Sequence, residues 1–208
     1  MSRKSESQKP VAPLPKIDRR VRRTRDALGD ALIALIQETP FATITIQQVL
    51  DRAGIGRSTF YAHYRDKDDL LLSDMEDFLE GMSTLLLRRR EPSNRIAPVQ
   101  ELFAHVAEMR HLVAALTAAD KMRDFLEMAQ GYFARGIERR FRELRDIGPS
   151  QPAATAHALA GSMLSLMFWW LNHDSSASPE QMDALFHQLA WSGIGAQSET
   201  SSVRKRSA

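Results

Sequence analysis

Residues 45–70 read TIQQVLDRAGIGRSTFYAHYRDKDDL, and the reading of this stretch decides the fold. Thr45 with Gln48 three residues later has the form of a capping box, in which each side chain satisfies an orphan amide and a helix begins. Ile46, Val49 and Leu50 give that helix an inward face as far as about residue 52. Ala53-Gly54-Ile55-Gly56 then makes a turn, with one glycine expected at positive φ and Ile55 filling the space between two helices. A second short helix, about 57–63, buries Phe60 and shows Arg57, Ser58, Thr59, Tyr61 and His63. Asp66 caps a third helix that carries Lys67 in its first turn and Asp69 at the reciprocal position. The pattern is a helix-turn-helix, and a second helix rich in donors and aromatics but poor in acid suits the major groove of DNA.

Working outward, the pattern becomes helical from Arg19, with Ala27, Leu28, Ala31, Leu32, Leu35 and Ile36 on one stripe, Arg19, Arg20, Arg22, Arg23 and Arg25 at its start and Pro40 soon after its end. Arginines at a helix N-terminus oppose the macrodipole, so a phosphate backbone facing them would offset the repulsion. The formal net charge of +2 hides an asymmetry. Residues 1–65 hold 12 Lys/Arg against 6 Asp/Glu, 66–195 hold 13 against 19, and 196–208 hold 3 against 1. A basic N-terminal part on an acidic body is expected when one end meets a polyanion. Residues 1–18, with three prolines and no periodicity, are expected to be a flexible basic arm whose Arg3, Lys4, Lys9 and Lys16 add nonspecific phosphate contacts.

Beyond residue 65 the sequence predicts helices only. Leu71, Met75, Phe78, Met82 and Leu85 form one stripe from Asp66 to about Arg90, ended by Glu91-Pro92-Ser93-Asn94. Further amphipathic helices are expected over about 98–119 and 121–146, the latter bent or split at Gly131 or Gly136. Residues 152–173 are apolar nearly all round and 179–194 open with a Ser178/Gln181 capping box. A helix apolar on two sides needs two covers, so these last two helices are expected to form a four-helix interface in a homodimer. Residues 196–208 are expected to be a disordered tail. The domain plan is thus 1–18 arm, 19–65 helix-turn-helix unit, 66–195 helical regulatory and dimerisation unit, and 196–208 tail, in an all-α fold.

At this point the sequence resembles the TetR family of transcriptional regulators. The resemblance is carried by Thr45-Ile46, Val49, Ala53-Gly54-Ile55, Ser58-Thr59-Phe60-Tyr61 with His63-Tyr64, and Lys67 followed by Leu70. It is specific over about residues 20–70; beyond that it extends only to helix number and layout. Three positions depart from the family pattern: Leu50 stands for Ala, Gly56 for a capping Ser or Thr, and Tyr64 for Phe. The resemblance implies that Thr45, Tyr61, His63 and Lys67 bind backbone phosphates, and that Arg57, Ser58 and Thr59 reach base edges, Arg57 taking guanine O6/N7. It also implies a dimer on a palindromic operator, most often a repressor that a small-molecule effector releases.

Met82, Phe103, Met109, Met122, Phe125, Phe133, Met163, Met167 and Trp170 are the candidates to line an effector pocket, with plain core as the alternative. His105 and His173 are weaker candidates for polar groups in it. The absence of cysteine excludes disulfides and thiolate chemistry, and no His/Asp/Glu set has metal-ligand spacing, so neither a metal nor a cofactor is expected. The apolar run 158–171 is 14 residues, short of the roughly 17–25 that cross a bilayer, and no signal peptide is visible; a cytoplasmic protein is expected. An architectural DNA-binding protein without a ligand is the second functional reading. A helical enzyme is a weak third, since there is no phosphate loop, nucleophile motif or acid pair in an apolar setting.

Overall fold

In the computed structural model, which describes residues 19–90, 92–118, 121–144, 149, 151–173 and 176–206, the chain is all-α. The basic arm expected over 1–18 lies outside the described residues. The helices are α1 (Arg19–Glu38), α2 (Ile46–Ala53), α3 (Arg57–Tyr61), α4 (Lys67–Ser83), α5 (Leu85–Arg89), α6 (Val99–Glu108), α7 (Arg110–Ala118), α8 (Met122–Glu143), α9 (Pro152–Asn172) and α10 (Pro179–Arg206).

The local signals of residues 45–70 are realised. The Thr45 hydroxyl accepts from Gln48 N while Gln48 Oε1 accepts from Thr45 N at 2.8 Å, closing the capping box. Gly54 ends α2 at φ 66°, a left-handed conformation that only a residue without Cβ adopts cheaply. Asp66 caps α4 by accepting from Asp69 N at 2.8 Å. The head core unites Leu28, Leu32, Val49, Leu50 and Phe60 with Leu70, Leu71 and Met75 of α4 and Leu116 of α7. A second core, built on α4, α6, α8, α9 and α10, holds Leu79, Phe103, Phe133, Ile137, Met163 and Phe186.

Two helices expected to be continuous are broken. The stripe from 66 to 90 is interrupted at Thr84, which leaves helical dihedrals at φ −101° and ψ 3° and whose hydroxyl joins its amide on Glu80 O. The pattern of 98–119 breaks at Met109, whose amide is shared between His105 O and Val106 O. α8, by contrast, passes Gly131 and Gly136 without a split, since glycine weakens a helix but its neighbours here continue the apolar stripe. α10 runs to Arg206, so helix replaces the disordered tail expected from 196; no proline intervenes after Ile194. Ser178 and Gln181 form the expected capping box at its start.

Polar contacts pin the loop before α6 to the body. Arg140, buried on α8, donates to Ser93 O and Arg95 O, and Arg95 in turn pairs with Glu101 and Asp183. His187 Nε2 accepts from Ile96 N at 3.0 Å while its Nδ1 lies 2.8 Å from Asp183 O, an arrangement of the Nδ1–H tautomer. The loop's carbonyls and amides therefore find partners on α8 and α10, which fixes α6 over the body core.

Candidate nucleic-acid interface and an adjoining cavity

α3 is only five residues long, and its placement comes from burying Phe60, which is fully enclosed by the head core. With Phe60 turned in, Arg57, Ser58, Thr59 and Tyr61 are turned out, and Tyr61 is half exposed with its ring edge-on to Phe60 at 5.3 Å. Arg57 Nη2 rests on Gln47 Oε1 at 3.1 Å, an exposed contact between α3 and α2 that competes weakly with other acceptors. Ser58, Thr59, Ala62 and His63 share a shallow groove with Arg20, Val21 and Thr24 of α1. The structure thus brings together most of the residues that the sequence singled out. Their common surface is polar, basic and free of Asp or Glu along α3.

Two cations read as facing outward are turned inward. Lys67 Nζ donates to Phe41 O, Ala42 O and Ile44 O, at 2.6, 3.3 and 2.9 Å, and lies over the Phe41 ring. All three of its N–H groups are used by the turn Phe41–Thr43 that leads into α2, so the side chain serves the packing of the head. Arg25 likewise leaves the arginine cluster. It donates to the Tyr64 hydroxyl at 3.1 Å, to Ser73 Oγ at 2.7 Å and to Asp77 at 2.8 Å, bridging α1, the end of the α3 segment and α4. Tyr64, the departure from phenylalanine, supplies the hydroxyl for that bridge. Arg19, Arg20, Arg22 and Arg23 remain exposed along α1.

Behind the head, α1, α4, α6, α7, α8 and α9 enclose a cavity of about 420 Å³, within the usual size range of small-molecule sites. Its walls include Ile33, Met75, Phe78, Val106, Leu112, Val113, Leu116 and Phe168. Of the residues expected to line a pocket, Met109, Met122, Phe125 and Met167 do so. Met82, Phe103, Phe133, Met163 and Trp170 do not: Phe103, Phe133 and Met163 are fully enclosed in the body core, Trp170 packs on Phe103 and donates to Ala177 O, and Met82 packs against the same core. His105 lines the cavity, stacked on Phe78 at 4.6 Å, and burial holds its pKa below the ordinary value. His173 stacks on Trp169 elsewhere.

The polar wall was not expected from the sequence. Asp30 and Gln37 come from α1 and Asp74 from α4. Asp74 lies so close to α1 that a Cβ at position 29 would overlap its Oδ1 unless that carboxylate moved. Burial first, then the neighbouring Asp30, Asp77 and Asp26, push the Asp74 carboxyl up to about 6, against the pull of Arg25. No group of acids or histidines among the described residues could hold a metal ion, and among them no helix is long and apolar enough to cross a membrane.

The comparisons agree with this layout. Residues 28–73 match the family model described as bacterial regulatory proteins, tetR family. The chain is 25% identical over 170 residues to the uncharacterized HTH-type transcriptional regulator YxbF of Bacillus subtilis (strain 168), covering 77% of this chain and 43% of that protein. It thus spans less than half the length of the curated relatives it matches. Among solved structures, a TetR transcriptional regulator from Streptococcus agalactiae 2603V is similar at 25% identity and a TM-score of 0.56, over 83% of this chain and 96% of that one. The dihydroxyacetone kinase operon activator DhaS shares the fold at 14% identity and a TM-score of 0.64, over 84% and 97%. Residues 28–73 thus carry a segment similar to the tetR family of bacterial regulatory proteins, and the all-α fold is shared with TetR-family structures.

Proposed function

We propose that the chain is a sequence-specific DNA-binding transcriptional regulator, a homodimeric repressor released from a palindromic operator when a small molecule enters the cavity. The observation that carries this reading is the acid-free outer face of α3, held out by the burial of Phe60. On it Arg57, Ser58 and Thr59 read base edges, Arg57 exchanging Gln47 for a guanine. Tyr61, His63 and Thr45 take phosphates, joined by the exposed arginines of α1. Lys67 is left out of the phosphate set because its ammonium is already spent on three carbonyls. Residues 19–65 form the reading unit and 66–195 the regulatory and dimerisation unit, working at cytoplasmic DNA.

Dimerisation is assigned to α9 and α10. Their outer face carries Trp169 and Leu189, 48% and 63% exposed, beside Leu159, Leu166 and Leu185. Large apolar side chains concentrated on one face of a helix pair favour a partner surface, and a second copy supplies the same two helices about a two-fold. Leu189→Glu leaves the protomer's own core intact, since the side chain lies outside it. Sedimentation equilibrium should show at least a roughly ten-fold weaker dimer, the cost of about one unpaired charge in an apolar interface, with operator affinity falling in parallel. An unchanged dimer would move the interface elsewhere.

Release is assigned to the α1–α4 contact. The cavity touches both helices, and Arg25 links α4 to Tyr64 through Ser73 and Asp77, which flank Asp74 in sequence. A ligand that favours another α1–α4 spacing would shift the orientation of α3 by this bridge.

A further inference from the structure

We propose that the cavity selects an organic cation, a protonated amine or quaternary onium group on an apolar or aromatic body, with Asp74 as its counter-charge. The inference rests on reading this cavity as the effector site and names the chemical class it takes. Among the described residues Asp74 has no hydrogen-bond or ion-pair partner, although it is partly buried and lines the cavity. An ionised carboxylate in such a place is costly unless a cation joins it. Asp30 adds a second acid to the wall, and no lysine or arginine lines the cavity. Arg25, the nearest cation, is engaged by Tyr64, Ser73 and Asp77.

The remaining walls suit the rest of such a ligand. Phe78, Phe125 and Phe168 offer ring faces to an onium group, and Met109, Met122 and Met167 are flexible and polarizable. His105, stacked on Phe78 and held toward its neutral form by burial, brings no positive charge that would favour an anion. An anionic ligand of the same shape would enter beside Asp74 and Asp30 with nothing to offset either.

The test uses two probes of one shape and opposite charge, tetraphenylphosphonium and tetraphenylborate, with neutral Nile red as a measure of the cavity itself. Calorimetry at pH 7.5 on the full chain should show the phosphonium binding at least about ten-fold more tightly than the borate, and Asp74→Asn should remove about ten-fold of its affinity, the scale of one charge pair near a protein surface. Lowering the pH from 7.5 to 5 should weaken phosphonium binding to the wild type, as Asp74 gains its proton, more than it weakens binding to the Asn variant. The groups facing Asp74 are Arg25, Asp26 and Asp30 from α1, Asp77 from α4, and His105 across the cavity; the Asn variant subtracts their own titration. Nile red uptake with equal binding of both ions, or with no effect of Asp74→Asn, would overturn the charge selectivity while leaving the effector cavity standing. Failure of Nile red and phosphonium alike would overturn both.

Discussion

Asp74→Asn should make the protein more stable at pH 7.5, by up to about 3 kcal/mol, and no more stable at pH 4. The sign follows from the direction of the shift. The folded protein holds the Asp74 proton more tightly than the unfolded chain does, because its carboxyl is pushed up to about 6 from an ordinary 3.8. Protonated Asp74 is therefore compatible with folding below pH 4, and folding stability is lost as the group ionises between about pH 4 and 6. The difference of about two between the two values, at about 1.4 kcal/mol each, sets the upper bound, and solvent reaching the carboxylate through the cavity reduces it. Asparagine keeps the shape and never ionises. Urea unfolding of both proteins at the two pH values measures the effect. Equal stability at pH 7.5 would mean that Asp74 is better solvated than the packing against Gly29 indicates. A native residue that lowers stability where it sits is expected at a binding site, where function and stability compete.

The second large effect is expected at Phe60. Phe60→Ala removes a fully enclosed ring from the head core, a change that costs roughly 3–5 kcal/mol. The loss should be confined, because the body has its own core around Phe103, Phe133 and Met163. Amides of 46–64 should lose protection from hydrogen exchange while those of α8 and α9 keep theirs, and DNA binding should disappear with the dimer still formed. Retained protection over 46–64 together with DNA affinity near that of the wild type would contradict the role given to Phe60.

The head was legible in the sequence because its signals are short-range. A capping box, a left-handed glycine and an inward phenylalanine each act within four residues, and Thr45/Gln48, Gly54 and Phe60 all behave as read. The direction of a long side chain is not local. Arg25 stands in a basic stretch and Lys67 at a helix start, both places that suit phosphate, yet acceptors 52 and 26 residues away in sequence draw them inward. The cavity was half legible for a similar reason. Methionine and phenylalanine at helical spacing look alike in core and pocket wall; which of the two each becomes depends on how α1, α4, α6, α7, α8 and α9 meet around the cavity. The acids of the cavity are not legible because Asp30 lies on a helix whose signals are its arginines and apolar stripe, and Asp74 lies beside, not on, the stripe Leu71, Met75 and Phe78.

The central claim is that α3 reads DNA sequence through Arg57, Ser58 and Thr59. Selection of bound duplexes from a random library by the wild-type dimer, repeated with Arg57→Ala, tests it most directly. The wild type should enrich two half-sites related by a two-fold axis, and the variant should lose preference at one base pair of each half-site, with about 1–3 kcal/mol of affinity. No enriched sequence, or the same enrichment with and without Arg57, would contradict it.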